Sequence, residues 1–131
     1  MPTYSEDILR LAETTPIPIP GGAQTSEMNN RLCGDAISVA VEWNGPVIQQ
    51  VFWKVEGCAI LKASAAHMAK TLRGKSSAAA LTITGQFMQS FEGETLYLKG
   101  PLAAVYDLPA RYKCALLPWL ACENLLRNQL R

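Results

Sequence analysis

The chain has 131 residues, 49% of them hydrophobic and 18% charged, a balance typical of one folded domain with one apolar core. Its formal net charge is +1 and it contains no run of lysine or arginine, which argues against a basic nucleic-acid-binding surface. No stretch approaches the ~18 apolar residues of a membrane span, and the acidic start "MPTYSEDILR" is unlike a signal peptide. We therefore expect a single domain over residues 1–131, cytoplasmic, with neither nucleic acid nor membrane as a partner.

The N-terminal third is predicted to contain one short helix. Ser5 is suited to the N-cap position, acidic residues follow it, and Ile8 and Leu11 supply apolar surface, so the helix is expected over 5–13. The prolines of "TPIPIPGG" force extended backbone and end it. The polar residues 23–32 are predicted to form a loop.

A β-hairpin is predicted next. "AISVAVEW" at 36–43 alternates apolar and polar residues, "NG" is a strong hairpin signal, and "PVIQQVFWKVE" supplies a second strand. A two-residue turn would pair Val39 with Gln50, whereas a three-residue turn would pair Val39 with Val51. The second register is favoured because it places the apolar faces of both strands together.

The hairpin at 36–56 brings the start of its first strand beside the end of its second. Either register places Asp35 near Lys54 or Val55, with Cys33 just beyond it and Cys58 following the second strand. Strand pairing alone therefore predicts that Cys33, Asp35 and Cys58 lie close together.

Helices are predicted for most of the remaining chain. Gly57 permits a sharp turn into "CAILKASAAHMAKTLRGK", which leaves Cys58 at a helix N-terminus, where the helix dipole favours a thiolate. "SSAAALTITGQFMQSF" predicts a second helix with a serine cap, and a short helix is expected near 102–106. "CALLPWLACENLLRNQL" predicts a closing helix that is interrupted or entered at Pro118.

The cysteines have the chemistry of metal ligands. Cys33, Asp35 and Cys58 supply two sulfur atoms and one oxygen, and Cys114 is the obvious third thiol. Three thiolates and a carboxylate suit a tetrahedral zinc or iron site. The alternative is that these cysteines are small buried hydrophobic residues, and their spacing alone does not decide between the two.

Other candidates fit structural roles better. His67 would lie about 13 Å from Cys58 along a helix and on its other side, so it is expected at the surface. Cys122 would lie about 12 Å from Cys114 and is expected to be structural. Trp43 and Trp53 fall on the apolar face of the hairpin, which favours core packing.

Three motifs occur in a characteristic order: "CGD" at 33–35, "EGCAI" at 56–60 and "PARYKCALLPW" at 109–119. Together they resemble the NifU/IscU-type iron–sulfur cluster assembly family over nearly the whole chain. The last motif is most similar to the SufU branch of that family.

The resemblance implies an α+β fold of the SufE/NifU-like type. It is a single NifU N-terminal-like domain with a small antiparallel sheet of three strands, packed on one side by helices. It implies that Cys33, Asp35, Cys58 and Cys114 form the site. In scaffold members these cysteines hold a transient [2Fe-2S] cluster, which the aspartate keeps labile for delivery to apo-proteins or carriers. SufU-like members bind Zn²⁺ at the same positions and relay persulfide sulfur, and in both groups the sulfur comes from a cysteine desulfurase.

The sequence also departs from the scaffold pattern. Lys113 replaces the histidine that precedes the last cysteine in IscU-type scaffolds, and 56 positions separate Cys58 from Cys114, a spacing closer to SufU-like members. "LPARYK" keeps only Leu108 and Pro109 of the chaperone-docking motif, which argues against recognition by an Hsp70-type chaperone.

The resemblance leads to a hypothesis for sulfur acceptance. Cys114, or else Cys33, would attack the persulfide of the desulfurase. Arg111 and Lys113 are expected to favour the thiolate of Cys114, the alternative being a solvated basic turn. The connection over 92–113 would let Cys114 move between site and partner.

Overall fold

The computed structural model describes residues 6–30, 34–91, 102, 105 and 109–129. Their elements, in chain order, are α1 (Glu6–Ala12), β1 (Ser26–Asn30), β2 (Asp35–Asn44), β3 (Val47–Glu56), α2 (Ala59–Leu72), α3 (Ser77–Gln89), a 3-10 turn (Pro109–Arg111) and α4 (Tyr112–Gln129). The strands form one antiparallel sheet in the order β1-β2-β3, which confirms the α+β prediction with three strands. None of the helices described is long and apolar enough to span a membrane.

The helices cover one face of the sheet. Ile37 and Val39 of β2 belong to the same buried cluster as Leu61 of α2 and Leu125 of α4. Lys54 of β3 points away from this cluster and is exposed. The two-residue period of the strands therefore separates the face packed against the helices from the face that carries Lys54.

The loop predicted over 23–32 is wrong in its second half, because Ser26–Asn30 forms β1. This strand pairs with the start of β2 and places Met28 opposite Ile37. Only Met28 among its five residues is apolar, so its sequence carries no strand pattern. The pairing partner, rather than the intrinsic preference of the segment, determines its conformation.

Neither predicted hairpin register is correct. Asn44 pairs with Val47 around a two-residue loop in which Gly45 has φ +59°. A bulge between Glu42 and Trp43 then shifts the ladder, so that Val39 lies opposite Trp53. A two-residue turn alone would misalign the apolar faces, and the extra residue of the bulge restores their alignment.

The register also corrects the predicted neighbours of Asp35. Because Ala36 pairs with Glu56, Asp35 lies level with Gly57, beyond the predicted Lys54 and Val55. The end of the ladder therefore coincides with the turn that leads into α2.

The helix predictions are confirmed in type and place. The Ser76 side chain accepts a hydrogen bond from the Ala79 N–H at 3.1 Å and caps α3, as predicted. The predicted interruption or entry at Pro118 is wrong, because α4 runs through this residue. The helix begins at Tyr112 and so includes Cys114 in its first turn. The short helix expected near 102–106 falls largely outside the described residues.

Candidate functional site

Three of the four predicted site residues converge at one end of the sheet. Asp35 is the first residue of β2, Cys58 is the N-cap of α2 and Cys114 is the third residue of α4. One carboxylate oxygen and the two sulfur atoms all lie within 4.8 Å of one another. Cys33 lies outside the described residues.

The strand-to-helix turn positions Cys58. Its backbone is extended, with φ −76° and ψ 170°, and its thiol does not cap the helix. Its N–H, which has no partner inside the helix, instead donates to Asp35 Oδ1 at 3.4 Å. The thiol of Cys58 is therefore left available to the site.

Asp35 joins the two cysteines. Its Oδ1 accepts from the Cys58 N–H, and its Oδ2 accepts from the Cys114 thiol at 2.8 Å. Asp35 is only 2% exposed, and no basic side chain in the described part of the chain forms an ion pair with it. A buried carboxylate without a cation is costly, so this donor set fits a bound metal cation.

The spacing of the donors fits a single ion. Zinc–sulfur bonds of about 2.3 Å place two tetrahedral sulfur ligands about 3.8 Å apart. The observed separations of up to 4.8 Å allow such a site with small rotations of the side chains. Asp35, Cys58 and Cys114 would supply three ligands.

The surroundings of Cys114 oppose its ionisation. Burial, followed by the hydrogen bond with Asp35, raises the pKa of the Cys114 thiol well above its ordinary value. Lys113 is exposed, whereas Cys114 is fully buried. The expectation that neighbouring basic residues give Cys114 thiolate character is therefore wrong for the metal-free protein, because desolvation dominates.

Two other candidates lie apart from the group. His67 is half-buried against Trp119, with ring centroids 6.1 Å apart, so the predicted surface position is wrong. Burial and then the charge of Lys70 lower the pKa of His67. Cys122 is fully buried and burial raises its pKa to about 12, in keeping with a structural role.

Sequence reasoning missed one residue that supports the site. The buried Ser64 of α2 donates to the carbonyl of Ala115, the residue after Cys114, and accepts from Trp119 Nε1 at 3.0 Å. These bonds fix α4 against α2 and so hold Cys114 near Cys58. The available signal was a polar residue on the apolar face of a predicted helix.

The sequence of this chain is similar to those of known proteins. The family described as "NifU-like N terminal domain" matches residues 13–94. The zinc-dependent sulfurtransferase SufU of Bacillus subtilis (strain 168) is 36% identical over 104 residues, which cover 75% of this chain and 71% of that protein. The iron–sulfur cluster assembly scaffold protein IscU of Streptococcus pyogenes serotype M1 is 30% identical over 113 residues, covering 82% of this chain and 71% of its own length.

Solved structures share the fold. A crystal structure from Fervidobacterium islandicum AW-1, assigned as an iron–sulfur cluster assembly scaffold protein for the SUF system, has a TM-score of 0.85 at 28% identity and covers 95% of this chain and 96% of its own. The N-terminal part of a NifU-like protein from Brucella abortus has a TM-score of 0.72 at 20% identity, covering 97% of this chain and 95% of its own. The second likeness supports the fold alone.

Proposed function

The chain belongs to the family of NifU-like N-terminal domains, and from that premise we propose that it accepts sulfur from a cysteine desulfurase for iron–sulfur cluster assembly. The observation that carries the proposal is the buried group of Asp35, Cys58 and Cys114. Cys33 is the fourth proposed ligand, because it stands two positions before Asp35 in the sequence. The proposal treats residues 1–131 as one domain.

Sulfur acceptance is a thiol–persulfide exchange. The thiolate of Cys114, or else of Cys33, attacks the terminal sulfur of the desulfurase persulfide. A new sulfur–sulfur bond forms on this chain, the old one breaks, and the desulfurase cysteine leaves as a thiolate. Asp35 Oδ2 accepts a hydrogen bond from the Cys114 S–H, and the thiol must lose this proton before it attacks.

The position of Cys114 sets a condition on this step. The residue is buried in the first turn of α4, rather than on the connection before it. Its attack on a partner therefore requires that turn to open. Helix ends fray more readily than helix centres, so the location is compatible with exchange.

In the scaffold form of the proposal, the site holds a transient [2Fe-2S] cluster as cargo for apo-proteins or carriers. The thiolates bind iron, and the harder carboxylate of Asp35 is the weaker ligand. Similarity to the streptococcal scaffold protein supports this form.

The second candidate is a zinc-dependent sulfurtransferase that relays persulfide sulfur without holding a cluster. Two observations favour it: donor atoms within 4.8 Å fit one ion, and the Bacillus relative is a zinc-dependent sulfurtransferase. A bound Zn²⁺ would stabilise the thiolates of its ligands.

Metal and acid-labile sulfide analysis separates the two forms. Anaerobically purified wild type and Asp35→Ala are compared before and after incubation with iron and sulfide. About one zinc per chain that iron and sulfide do not displace supports the sulfurtransferase. Iron with equal sulfide, retained longer in Asp35→Ala, supports the scaffold, and binding of neither metal contradicts the proposed site.

The accepting cysteine is identified by transfer of labelled sulfur from a desulfurase to single Cys→Ser variants. We expect Cys114→Ser to abolish transfer, or Cys33→Ser if that thiol is the acceptor. Cys122→Ser is the matched control, because Cys122 is fully buried in the same helix. Unchanged transfer in both Cys114→Ser and Cys33→Ser contradicts the exchange.

A further inference from the structure

Gly57 touches the site although it has no side chain of its own. It stands between β3 and α2, level with Asp35 across the sheet. A Cβ atom built on Gly57 would lie 2.7 Å from Leu61 Cδ2 and 3.0 Å from Asp35 Cγ, with Asp35 Oδ1 closer still. The carboxylate of Asp35 thus occupies the space that any other residue would fill.

The other described glycines have no side chain so close to the position of an added Cβ atom. Gly22, Gly34, Gly45 and Gly74 have φ between +59° and +84°, and a Cβ at each would meet nothing within 4 Å. Backbone conformation explains those four glycines. Gly57 has a positive φ as well, +158°, and among these glycines it adds the close approach of a functional side chain.

The contacts of Asp35 indicate what a methyl group at position 57 would displace. Leu61 is fully buried in the core, so its movement would cost packing. The carboxylate of Asp35 is the end of a short rotatable side chain held by two hydrogen bonds, from the Cys58 N–H and the Cys114 thiol. Rotation of the carboxylate away from both cysteines is the less costly response.

We infer that Gly57 is a positioning residue for Asp35, whose carboxylate faces Cys58 and Cys114 only because position 57 lacks a Cβ. The inference rests on the proposed function and adds to it a residue that offers no ligand atom. It implies that a single methyl group weakens the site while leaving its thiols in place.

Cobalt titration of four proteins tests the inference: wild type, Gly57→Ala, Asp35→Ala and the double variant. We expect Gly57→Ala to raise the Kd for Co²⁺ by about 10- to 100-fold, as losses of ligand-orienting contacts do. Thiolate-to-cobalt charge-transfer bands should persist, whereas the d–d bands should shift to resemble those of Asp35→Ala. In the Asp35→Ala background, Gly57→Ala should change the Kd no further.

Gly74→Ala is the control for backbone strain, since Gly74 also has a positive φ, +84°, but its Cβ would meet nothing within 4 Å. Its cobalt Kd should equal that of wild type. If Gly57→Ala does not fold, Gly57→Ala/Leu61→Val is compared with Leu61→Val, because the smaller residue removes the contact with Leu61 Cδ2. Equal effects of Gly57→Ala with and without Asp35 would overturn the inference, as would an unchanged Kd.

A crystal structure of metal-free Gly57→Ala decides the geometry independently of metal binding. A carboxylate turned away from Cys58 and Cys114 supports the inference, and one that stays while Leu61 moves overturns it. Failure of wild type to bind cobalt would count against the proposed function alone, so the two failures are distinguishable.

Discussion

The surroundings of each described cysteine limit what its thiol can do. Cys58 is half-buried at a helix start and makes no capping bond. Cys114 is buried but donates to Asp35, so it has a polar partner within the site. Cys122 is fully buried and desolvation alone accounts for its raised pKa. Of these three cysteines, Cys114 is therefore expected to exchange sulfur, Cys58 to bind metal and Cys122 to be inert.

The raised pKa of Cys122 predicts alkaline destabilisation. The folded value is about 12 and the ordinary value is 9.0, so above pH 9 the unfolded chain loses this proton first. The contribution of this thiol to the free energy of unfolding is fully present below pH 9. It decreases by about 1.4 kcal/mol per pH unit between pH 9 and pH 12. By pH 10.5 the free energy of unfolding should have dropped by about 2 kcal/mol more in wild type than in Cys122→Ala.

Urea denaturation between pH 7.5 and 10.5 measures this difference. Thr82→Ala, at an exposed position of α3, should retain the pH dependence of wild type. If the free energy of unfolding depends on pH in the same way in wild type and Cys122→Ala, the thiol does not titrate as described.

At the scale of elements, the junction of α2 and α4 determines whether the two cysteines meet. Cys58 begins α2 and Cys114 lies in the first turn of α4, so a shift between these helices would separate the thiols. Ser64 links them by bonding to both Ala115 and Trp119. Trp119 is further held by Phe87 of α3, stacked at 4.1 Å. The site thus depends on contacts one or two turns away from it.

Ser64→Ala should weaken this junction. It removes a buried hydrogen bond to the Ala115 carbonyl and leaves the Trp119 N–H without its acceptor. We expect a loss of about 1 to 3 kcal/mol in the free energy of unfolding, the usual cost of a buried unsatisfied polar group. Chemical denaturation at neutral pH measures it.

Thr82→Ala is the matched control, because Thr82 also donates to a carbonyl, that of Ala78, but at an exposed position. Its effect should stay within about 0.5 kcal/mol. Equal losses in the two variants would contradict a special role for Ser64.

At the scale of the whole molecule, the candidate ligands join segments that are far apart in sequence. Asp35 belongs to the sheet, Cys58 to α2 and Cys114 to α4, and 79 positions separate Asp35 from Cys114. An ion bound by all three requires the folded arrangement of these elements. Metal binding is therefore expected to stabilise the fold.

Zinc at about 100 times its Kd should stabilise the protein by about 2.7 kcal/mol, which corresponds to a rise in Tm on the order of 10 °C. Thermal unfolding with zinc and with a chelator measures the difference. Asp35→Ala should show a smaller rise, and Cys122→Ala the full one. A rise of the same size in Asp35→Ala would show that zinc binds elsewhere.

Particular residues show why sequence prediction succeeded in part. The alternation of Ile37, Val39 and Val41 and the "NG" turn predict the hairpin, and the hairpin alone brings Asp35 toward Cys58. The segment "SEMNN" has one apolar residue, so β1 could not be predicted. The bulge between Glu42 and Trp43 could not be predicted from local sequence. It is needed because the tight turn at Gly45 would otherwise misalign the apolar faces of the two strands.

The sequence by itself determined the helices, the hairpin and the identity of the candidate ligands. Local periodicity, turn residues and the order of motifs depend on the sequence alone, so they can be recognised without a structure. Only the tertiary structure decided how Cys114 meets Asp35, why burial raises the pKa of that thiol, and that Asp35 lies where a side chain at position 57 would be. These properties depend on distances between segments remote in sequence. Packing fixes such distances, and no local pattern encodes them.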